Sequence, residues 1–79
     1  MKIEFTEFKE AFMEAFELDE SFEVKLDDEF REYDNWDSLT KLSLIAVLDD
    51  EFDVLIEDKD FSKIITIQDL YDFLIKIKS

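Results

Sequence analysis

The sequence contains no glycine and no proline among its 79 residues. These two residues usually mark turns and helix ends, so the boundaries of its elements must be read from apolar periodicity and from clusters of Asp, Asn and Ser. Read in this way, the chain predicts an all-α fold with four helices, a long first loop and a short third helix. Its length suits one small domain, which we expect to span residues 1–79.

Two of the predicted helices lie in the first two thirds of the chain. The first follows a helical apolar period from Phe5 and is expected to end near Leu18. The second is predicted from Leu39 to Phe52, with a wide apolar face turned to the core. That face comprises Leu39, Leu42, Leu44, Ile45, Leu48 and Phe52, with Ala46 and Val47 at its sides.

The last third of the chain predicts one short helix and one long helix. The short helix is expected around Phe61, Ile64 and Ile65, after an extended segment at residues 54–56 that has no partner strand. Thr66 is expected to cap the last helix, because Asp69 follows it at the spacing of a capping box. The apolar face of that helix comprises Ile67, Leu70, Tyr71, Phe73, Leu74 and Ile77.

Residues 19–37 form a long acidic connection that also contains regularly recurring apolar residues. They are Phe22, Val24, Leu26, Phe30, Tyr33 and Trp36. We therefore expect a loop held against the core, with a short helical turn at residues 28–31, and long loops of this kind tend to be functional.

Acidic residues dominate the charge balance, with 23 Asp and Glu against nine Lys and Arg and a formal charge of −14. This charge repels nucleic acid and anionic membrane surfaces, so partners with basic docking patches are expected. The absence of Cys and His removes thiolate nucleophiles, disulfides, the commonest zinc ligand and the commonest general base. We expect neither an enzyme nor a resident metal. We also expect no membrane insertion and no secretory signal, and hence a cytoplasmic protein. We further expect a monomer.

Ser38 lies where the long loop meets the predicted central helix, which would hold its hydroxyl out to solvent. A helix N-terminus offers unpaired N–H groups and about half a positive charge, so a phosphate ester on Ser38 would be stabilised there. The dipeptide Asp37-Ser38 by itself is explained as well by helix capping.

The wider pattern resembles the acyl carrier protein family. Asp37-Ser38-Leu39 opens the predicted helix, Asp49-Asp50-Glu51-Phe52 closes it, and the likeness continues through residues 56–77. The resemblance implies that Ser38 carries phosphopantetheine, which a phosphopantetheinyl transferase takes from coenzyme A, and that Asp37 helps to position that transferase. It also implies that Leu39, Asp49 and Asp50 contact acyl-loading and acyl-processing enzymes.

The same resemblance implies a pocket that shelters the acyl chain. Its expected lining comprises Leu42, Ile45, Leu48, Phe52, Ile56, Phe61, Ile64 and Leu70. Phe61 and Leu70 are larger than is usual there, so a short or polar acyl group is expected. Trp36 is also larger than is usual two residues before the serine. Thr40 and Ser43 stand where acids are common, and Glu57 stands where proline is common. These departures indicate a specialised carrier. The resemblance implies a role in fatty-acid biosynthesis or in specialised acyl or polyketide-type biosynthesis.

Three other interpretations fit parts of the sequence. An acidic interaction protein or inhibitor would explain the charge without a prosthetic group, but not the ordered pattern around Ser38. Residues 58–69 have the oxygen spacing of an EF-hand calcium loop, but Lys63 stands where glycine is needed and Asp69 replaces the bidentate Glu. An enzyme could use Asp34 and Asp37 only as a pair that is close in sequence.

Overall fold

The computed structural model describes residues 3–19 and 21–78; residues 1–2, 20 and 79 of the expected domain lie outside this description. Four helices follow one another: α1 (Phe5–Phe16), α2 (Ser38–Phe52), α3 (Asp58–Phe61) and α4 (Ile67–Lys78). Within the described residues the backbone forms no strand and one isolated antiparallel bridge, between Glu29 and Thr66. The all-α prediction with a short third helix is confirmed.

Helix α1 buries the apolar stripe that its sequence predicts and packs along α2. The stripe comprises Phe8, Ala11, Phe12, Ala15 and Phe16. The helix ends two residues earlier than the predicted Leu18, because Glu17 takes the left-handed conformation with φ 53°. The N–H groups of Glu17 and Leu18 then bond back to the carbonyls of Glu14 and Met13, which closes the helix without the glycine usual at this position.

Helix α2 buries a narrower face than the sequence predicts. Leu44, Leu48 and Phe52 recur every four residues and are 0–4% exposed, whereas Leu39 is 74% and Leu42 62% exposed. Leu42 precedes Leu44 by two positions, which is about 200° around a helix and thus the opposite side. The expectation that Leu39, Leu42 and Ala46 face the core is therefore wrong.

The long loop is fastened to the start of α4, as the sequence predicts for a loop held against the core. The N–H of Ile67 donates to the carbonyl of Asp28 at 3.0 Å, and the N–H of Gln68 donates to that of Leu26 at 2.7 Å. The predicted turn at residues 28–31 is observed slightly later, as a single 3-10 turn at Phe30–Glu32. Phe30 at its start is fully buried.

Helices α3 and α4 differ from prediction mainly at their edges. Helix α3 ends at Phe61, so Ile64 and Ile65 lie beyond it, where Ile64 is buried and Ile65 is 50% exposed. The capping box of α4 is confirmed: the Thr66 N–H donates to Asp69 Oδ2 at 3.1 Å, and the Asp69 N–H donates to Thr66 Oγ1 at 3.1 Å. Ile77 was expected on the apolar face but is 54% exposed.

One hydrophobic core joins α1, the loop, α2 and α4. Tyr71 of α4 reaches the N-terminal segment, where its hydroxyl donates to the carbonyl of Ile3 at 2.9 Å and its ring lies 5.1 Å from that of Phe8. No helix among the described residues is both long and apolar enough to cross a membrane. In this fold the first turn of α2 lies between the end of α1 and the short helix α3.

Candidate functional site

Ser38 is the first residue of α2 and is exposed to solvent. The residue before it, Asp37, is extended and caps the helix by accepting a hydrogen bond from the Thr40 N–H at 2.7 Å. The Thr40 hydroxyl in turn donates to the carbonyl of Asn35 at 2.8 Å. These two bonds close the loop onto the first turn of α2 and fix the direction from which the chain reaches Ser38.

The electrostatics of this helix start favour anions. The hydrogen bond from the Thr40 N–H is the main reason why the pKa of Asp37 is lowered from its ordinary value of 3.8, so this carboxylate is ionised at neutral pH. Within the described residues the Ser38 hydroxyl has no hydrogen-bond partner. It is therefore free to be esterified without breaking a bond of the fold, in a field that stabilises a phosphate.

An aromatic cluster lies beside the serine, and sequence reasoning did not foresee its geometry. Trp36 stacks on Phe61 with ring centroids 6.1 Å apart and planes 7° from parallel, and it stacks on Phe16 at 5.8 Å. Phe30 contacts Trp36 edge-on at 5.4 Å. Trp36 and Phe61 are two of the unusually large residues in the sequence, and here they fill space against each other.

Two cations border this cluster, and neither was predicted from the sequence to have a role. Arg31, the one arginine of the chain, lies between the rings of Phe30 and Phe61, and its guanidinium donates to the carbonyls of Phe61 and Ile64. Lys41 lies 5.5 Å from the Phe61 ring and 3.3 Å from a carboxylate oxygen of Asp58. An arginine within an acid-rich loop was the available signal in the sequence.

Two grooves flank the start of α2. The first, which we call the basic groove, is lined by Arg31, Trp36, Lys41, Asp58, Phe61 and Ser62. The second, the acidic groove, lies between α1 and α2, and its charged lining residues are Glu14, Glu17 and Asp37. The two grooves therefore differ in charge: the basic groove has two cations and one acid, Asp58, whereas the acidic groove has acids only.

Most of the side chains predicted to line an acyl pocket lie in the core. Six of them are 0–4% exposed: Leu48, Phe52, Ile56, Phe61, Ile64 and Leu70. Ile45 is half-buried at the core's edge. Leu42, at 62% exposed, is a correction, because it points away from the core with Leu39. Leu39, Asp49 and Asp50, which were predicted to contact partners, are all exposed.

Comparison with known proteins identifies the family to which a chain with this arrangement belongs. A family model described as the phosphopantetheine attachment site matches residues 6–74. An acyl carrier protein of Phaeodactylum tricornutum is 36% identical over 74 residues, which cover 94% of this chain and 96% of that protein. The chain belongs to the acyl carrier protein family. Acyl carrier proteins of Chlorobium phaeobacteroides and Chlorobium phaeovibrioides are each 39% identical over 54 residues, 68% of this chain and 69% of each of those proteins.

Membership of the acyl carrier protein family establishes the type of chemistry. The protein carries acyl groups as thioesters on phosphopantetheine and is a carrier, not an enzyme. Phosphopantetheinyl transferases and acyl-processing enzymes are the partners of such carriers. This membership supports the carrier interpretation and not the alternative of an acidic inhibitor without a prosthetic group.

The calcium alternative also meets an obstacle in the fold. The Asp69 carboxylate, which would be the twelfth ligand position, accepts hydrogen bonds from the N–H groups of Ile65 and Thr66. Across residues 3–19 and 21–78 no group of three or more metal-ligating side chains comes together. Asp69 acts in this fold as a helix cap.

Proposed function

We propose that Ser38 is the residue to which the phosphopantetheine arm is attached, so that the thioester-linked acyl group starts from the first turn of α2. The observation that carries this proposal is the exposed, unbonded hydroxyl of Ser38 at a helix N-terminus. The other three described serines are less suitable, and Ser21 lies in the long loop and not at a helix start. Ser62 already donates its hydroxyl to the carbonyl of Lys59 at 2.9 Å, and Ser43 lies one and a half turns into α2.

The chain's own residues have separate roles in this proposal. Transfer forms a bond between Ser38 Oγ and the phosphorus, breaks the pyrophosphate of coenzyme A, and releases adenosine bisphosphate together with the hydroxyl proton. The first-turn N–H groups would hold the resulting phosphodiester. Asp37 keeps its negative charge while capping the helix, and it would help to position the transferase and its metal-bound coenzyme A. When bound, the arm supplies the thiol that this Cys-free chain lacks.

We also propose that the exposed face of α2 contacts partner enzymes. Leu39 is 74% exposed at the start of the helix, and Asp49 and Asp50 are exposed near its end. An apolar contact beside Ser38 combined with acids further along suits a partner with a basic patch, because charge speeds encounter while the small contact allows release.

Three further parts of this proposal concern the chain as a whole. The −14 charge makes copies repel one another, which supports a monomer. The span 1–79 is proposed to be a single domain. The cytoplasmic location predicted from the sequence stays a prediction, which microscopy of a fluorescently tagged chain would test.

Intact-protein mass spectrometry tests the attachment site. Wild type, Ser38→Ala and Ser43→Ala are each incubated with coenzyme A, Mg²⁺ and a broad-specificity phosphopantetheinyl transferase, and circular dichroism verifies that each is helical. We expect a gain of one phosphopantetheine in wild type and in Ser43→Ala, and none in Ser38→Ala. A gain that persists in Ser38→Ala would assign the arm to another residue. No gain in folded wild type would leave Ser38 as the start of a helix only.

A further inference from the structure

We propose that Asn35 is a positioning residue for the transfer of phosphopantetheine. It fixes the segment before Ser38 to the end of α1, and it thereby sets where Ser38 stands when the transferase binds. This inference rests on the proposed function of Ser38 as the attachment site, and it adds a residue that lies outside the Asp37-Ser38-Leu39 pattern.

The side chain of Asn35 connects the long loop to the last residue of α1. Its Nδ2 group donates to the carbonyl of Phe16, which has no later turn of the helix to bond it. The ring of the neighbouring Trp36 stacks on the Phe16 ring with centroids 5.8 Å apart. Two successive residues before Ser38 are therefore held on the same residue of α1, one by a polar contact and the other by an apolar one.

The backbone of Asn35 is bonded to α2. Its carbonyl accepts a hydrogen bond from the Thr40 hydroxyl at 2.8 Å, while the Thr40 N–H donates to Asp37 at 2.7 Å. Between these contacts the chain is extended, with φ −157° and ψ −176° at Asp37. Ser38 thus lies between two fixed points, and Asn35 joins Phe16 of α1 to Thr40 of α2 in series.

Position matters here because transfer of the arm is a displacement at phosphorus. A bond forms between Ser38 Oγ and the phosphorus while the pyrophosphate bond of coenzyme A breaks, and adenosine bisphosphate and the hydroxyl proton are released. The rate of such a step depends steeply on how often the reacting atoms are correctly placed. The transferase holds coenzyme A, but the fold of the carrier must hold Ser38. A segment fixed by Asn35 presents Ser38 in a defined place, so less freedom is lost in the complex.

A positioning role and a purely stabilising role predict different kinetics. Loss of one hydrogen bond lowers stability, but a variant that is still folded at the assay temperature would be modified at the normal rate. Loss of positioning lowers the rate in folded protein. The proposed partner contacts at Leu39, Asp49 and Asp50 are unchanged in either case, so we expect kcat to be affected and KM to be nearly constant.

Steady-state kinetics with a broad-specificity phosphopantetheinyl transferase test the proposal. Coenzyme A and Mg²⁺ are saturating, the carrier concentration is varied, mass spectrometry measures the product, and circular dichroism verifies folding. We expect Asn35→Ala to lower kcat about tenfold and to change KM by less than about twofold. Tyr71→Phe is the matched control and should keep both constants. It also removes one side-chain bond to a backbone carbonyl, that of Ile3, but beyond the opposite end of α1.

Variants of Thr40 test the same connection from α2, and they keep the test decisive if Asn35→Ala does not fold. Thr40→Val removes the hydroxyl but keeps the side-chain shape and the N–H that bonds Asp37, whereas Thr40→Ser keeps the hydroxyl. We expect Thr40→Val to lower kcat about tenfold and Thr40→Ser to retain the wild-type value. Because the two bonds act in series, the double variant Asn35→Ala with Thr40→Val should lose little more than either single variant.

The possible failures are distinguishable. A normal kcat in folded Asn35→Ala or in folded Thr40→Val would overturn the positioning role and leave the attachment site intact. An equal loss of kcat in Tyr71→Phe would also overturn it, since general loosening of the fold would then explain the effect. So would a raised KM with an unchanged kcat, or single effects that multiply in the double variant. No mass gain in wild type would instead refute the proposed function of Ser38.

Discussion

At the scale of single residues, two helices end at non-glycine residues in a backbone conformation that favours glycine. Glu17 and Asp53 end α1 and α2 in the left-handed conformation, with φ of 53° and 56°. In this conformation a residue with a Cβ atom is destabilised by about 1–2 kcal/mol relative to glycine. Glycine in turn destabilises the folded state by about 0.5–1 kcal/mol, because its unfolded chain has more conformational freedom to lose. We therefore expect Glu17→Gly to raise the free energy of unfolding by about 0.5–1 kcal/mol.

Urea denaturation followed by circular dichroism measures this change. Glu17→Gln is the matched control, because it removes the same negative charge but keeps the Cβ atom. The stabilisation should be seen in the Gly variant relative to the Gln variant. If both variants are equally stable, relief of charge repulsion, and not backbone conformation, accounts for any gain.

At the scale of elements, the start of α4 is held by a charge-assisted cap. The carboxylate of Asp69 accepts hydrogen bonds from the N–H groups of Thr66 and Ile65, and these lower its pKa from the ordinary 3.8. Because the folded pKa is the lower one, this stabilisation is complete above the unfolded value and is lost as pH falls through the folded pKa. We expect Asp69→Asn to cost about 0.5–1 kcal/mol at pH 7.

The difference between wild type and Asp69→Asn should begin to shrink as pH falls below 3.8, where Asp69 of the unfolded chain takes up a proton. It should be smallest below the lowered folded pKa, where Asp69 is neutral in both states. Thermal unfolding of both proteins at a series of pH values measures it. Asp72→Asn is the control, because Asp72 lies one turn further along α4 and accepts from the Gln68 side chain, not from the backbone. A difference independent of pH would contradict the cap.

Elements were predictable from the sequence where local chemistry decides them. The Thr66–Asp69 cap and the stripe of α1 are set by residues three or four apart. The buried face of α2 was not predictable in the same way, because apolar residues occur on both of its sides. Packing against α1 and the rest of the core determines that Leu44 and Leu48 are buried while Leu42 stays exposed.

The candidate site likewise contains residues that local sequence predicts and residues that depend on contacts between distant parts of the chain. Ser38 and Asp37 were predicted as site residues from the helix-start pattern and from the resemblance around Asp37-Ser38-Leu39, and the structure places both at the start of α2. Arg31 was not predicted, because its partners Phe61 and Ile64 lie about thirty residues further along the chain. Contacts of that range depend on how the loop packs against the end of α3, which no periodicity in the sequence encodes.

At the scale of the whole molecule, net charge opposes folding. The described chain measures 31 × 26 × 22 Å. The Debye length, beyond which exposed charges are largely screened from one another, is about 30 Å at 10 mM salt but about 10 Å at 100 mM. At low salt, therefore, most of its acids repel one another across the fold, and unfolding moves them apart. We expect NaCl between 10 and 150 mM to raise Tm at pH 7 by roughly 5 °C, equivalent to about 1 kcal/mol for a domain of this size.

The same salt should weaken docking on basic partners, because there the charges attract. Salt therefore acts in opposite directions on the free carrier and on its complexes, and this follows from one net charge of −14. Differential scanning calorimetry at pH 7 measures the first effect, and repeating it near the isoelectric point of about 4.1 is the control. There the rise in Tm with salt should disappear. A Tm that falls with NaCl at pH 7 would mean that attractive pairs such as Lys41–Asp58, and not self-repulsion, dominate the electrostatics of the fold.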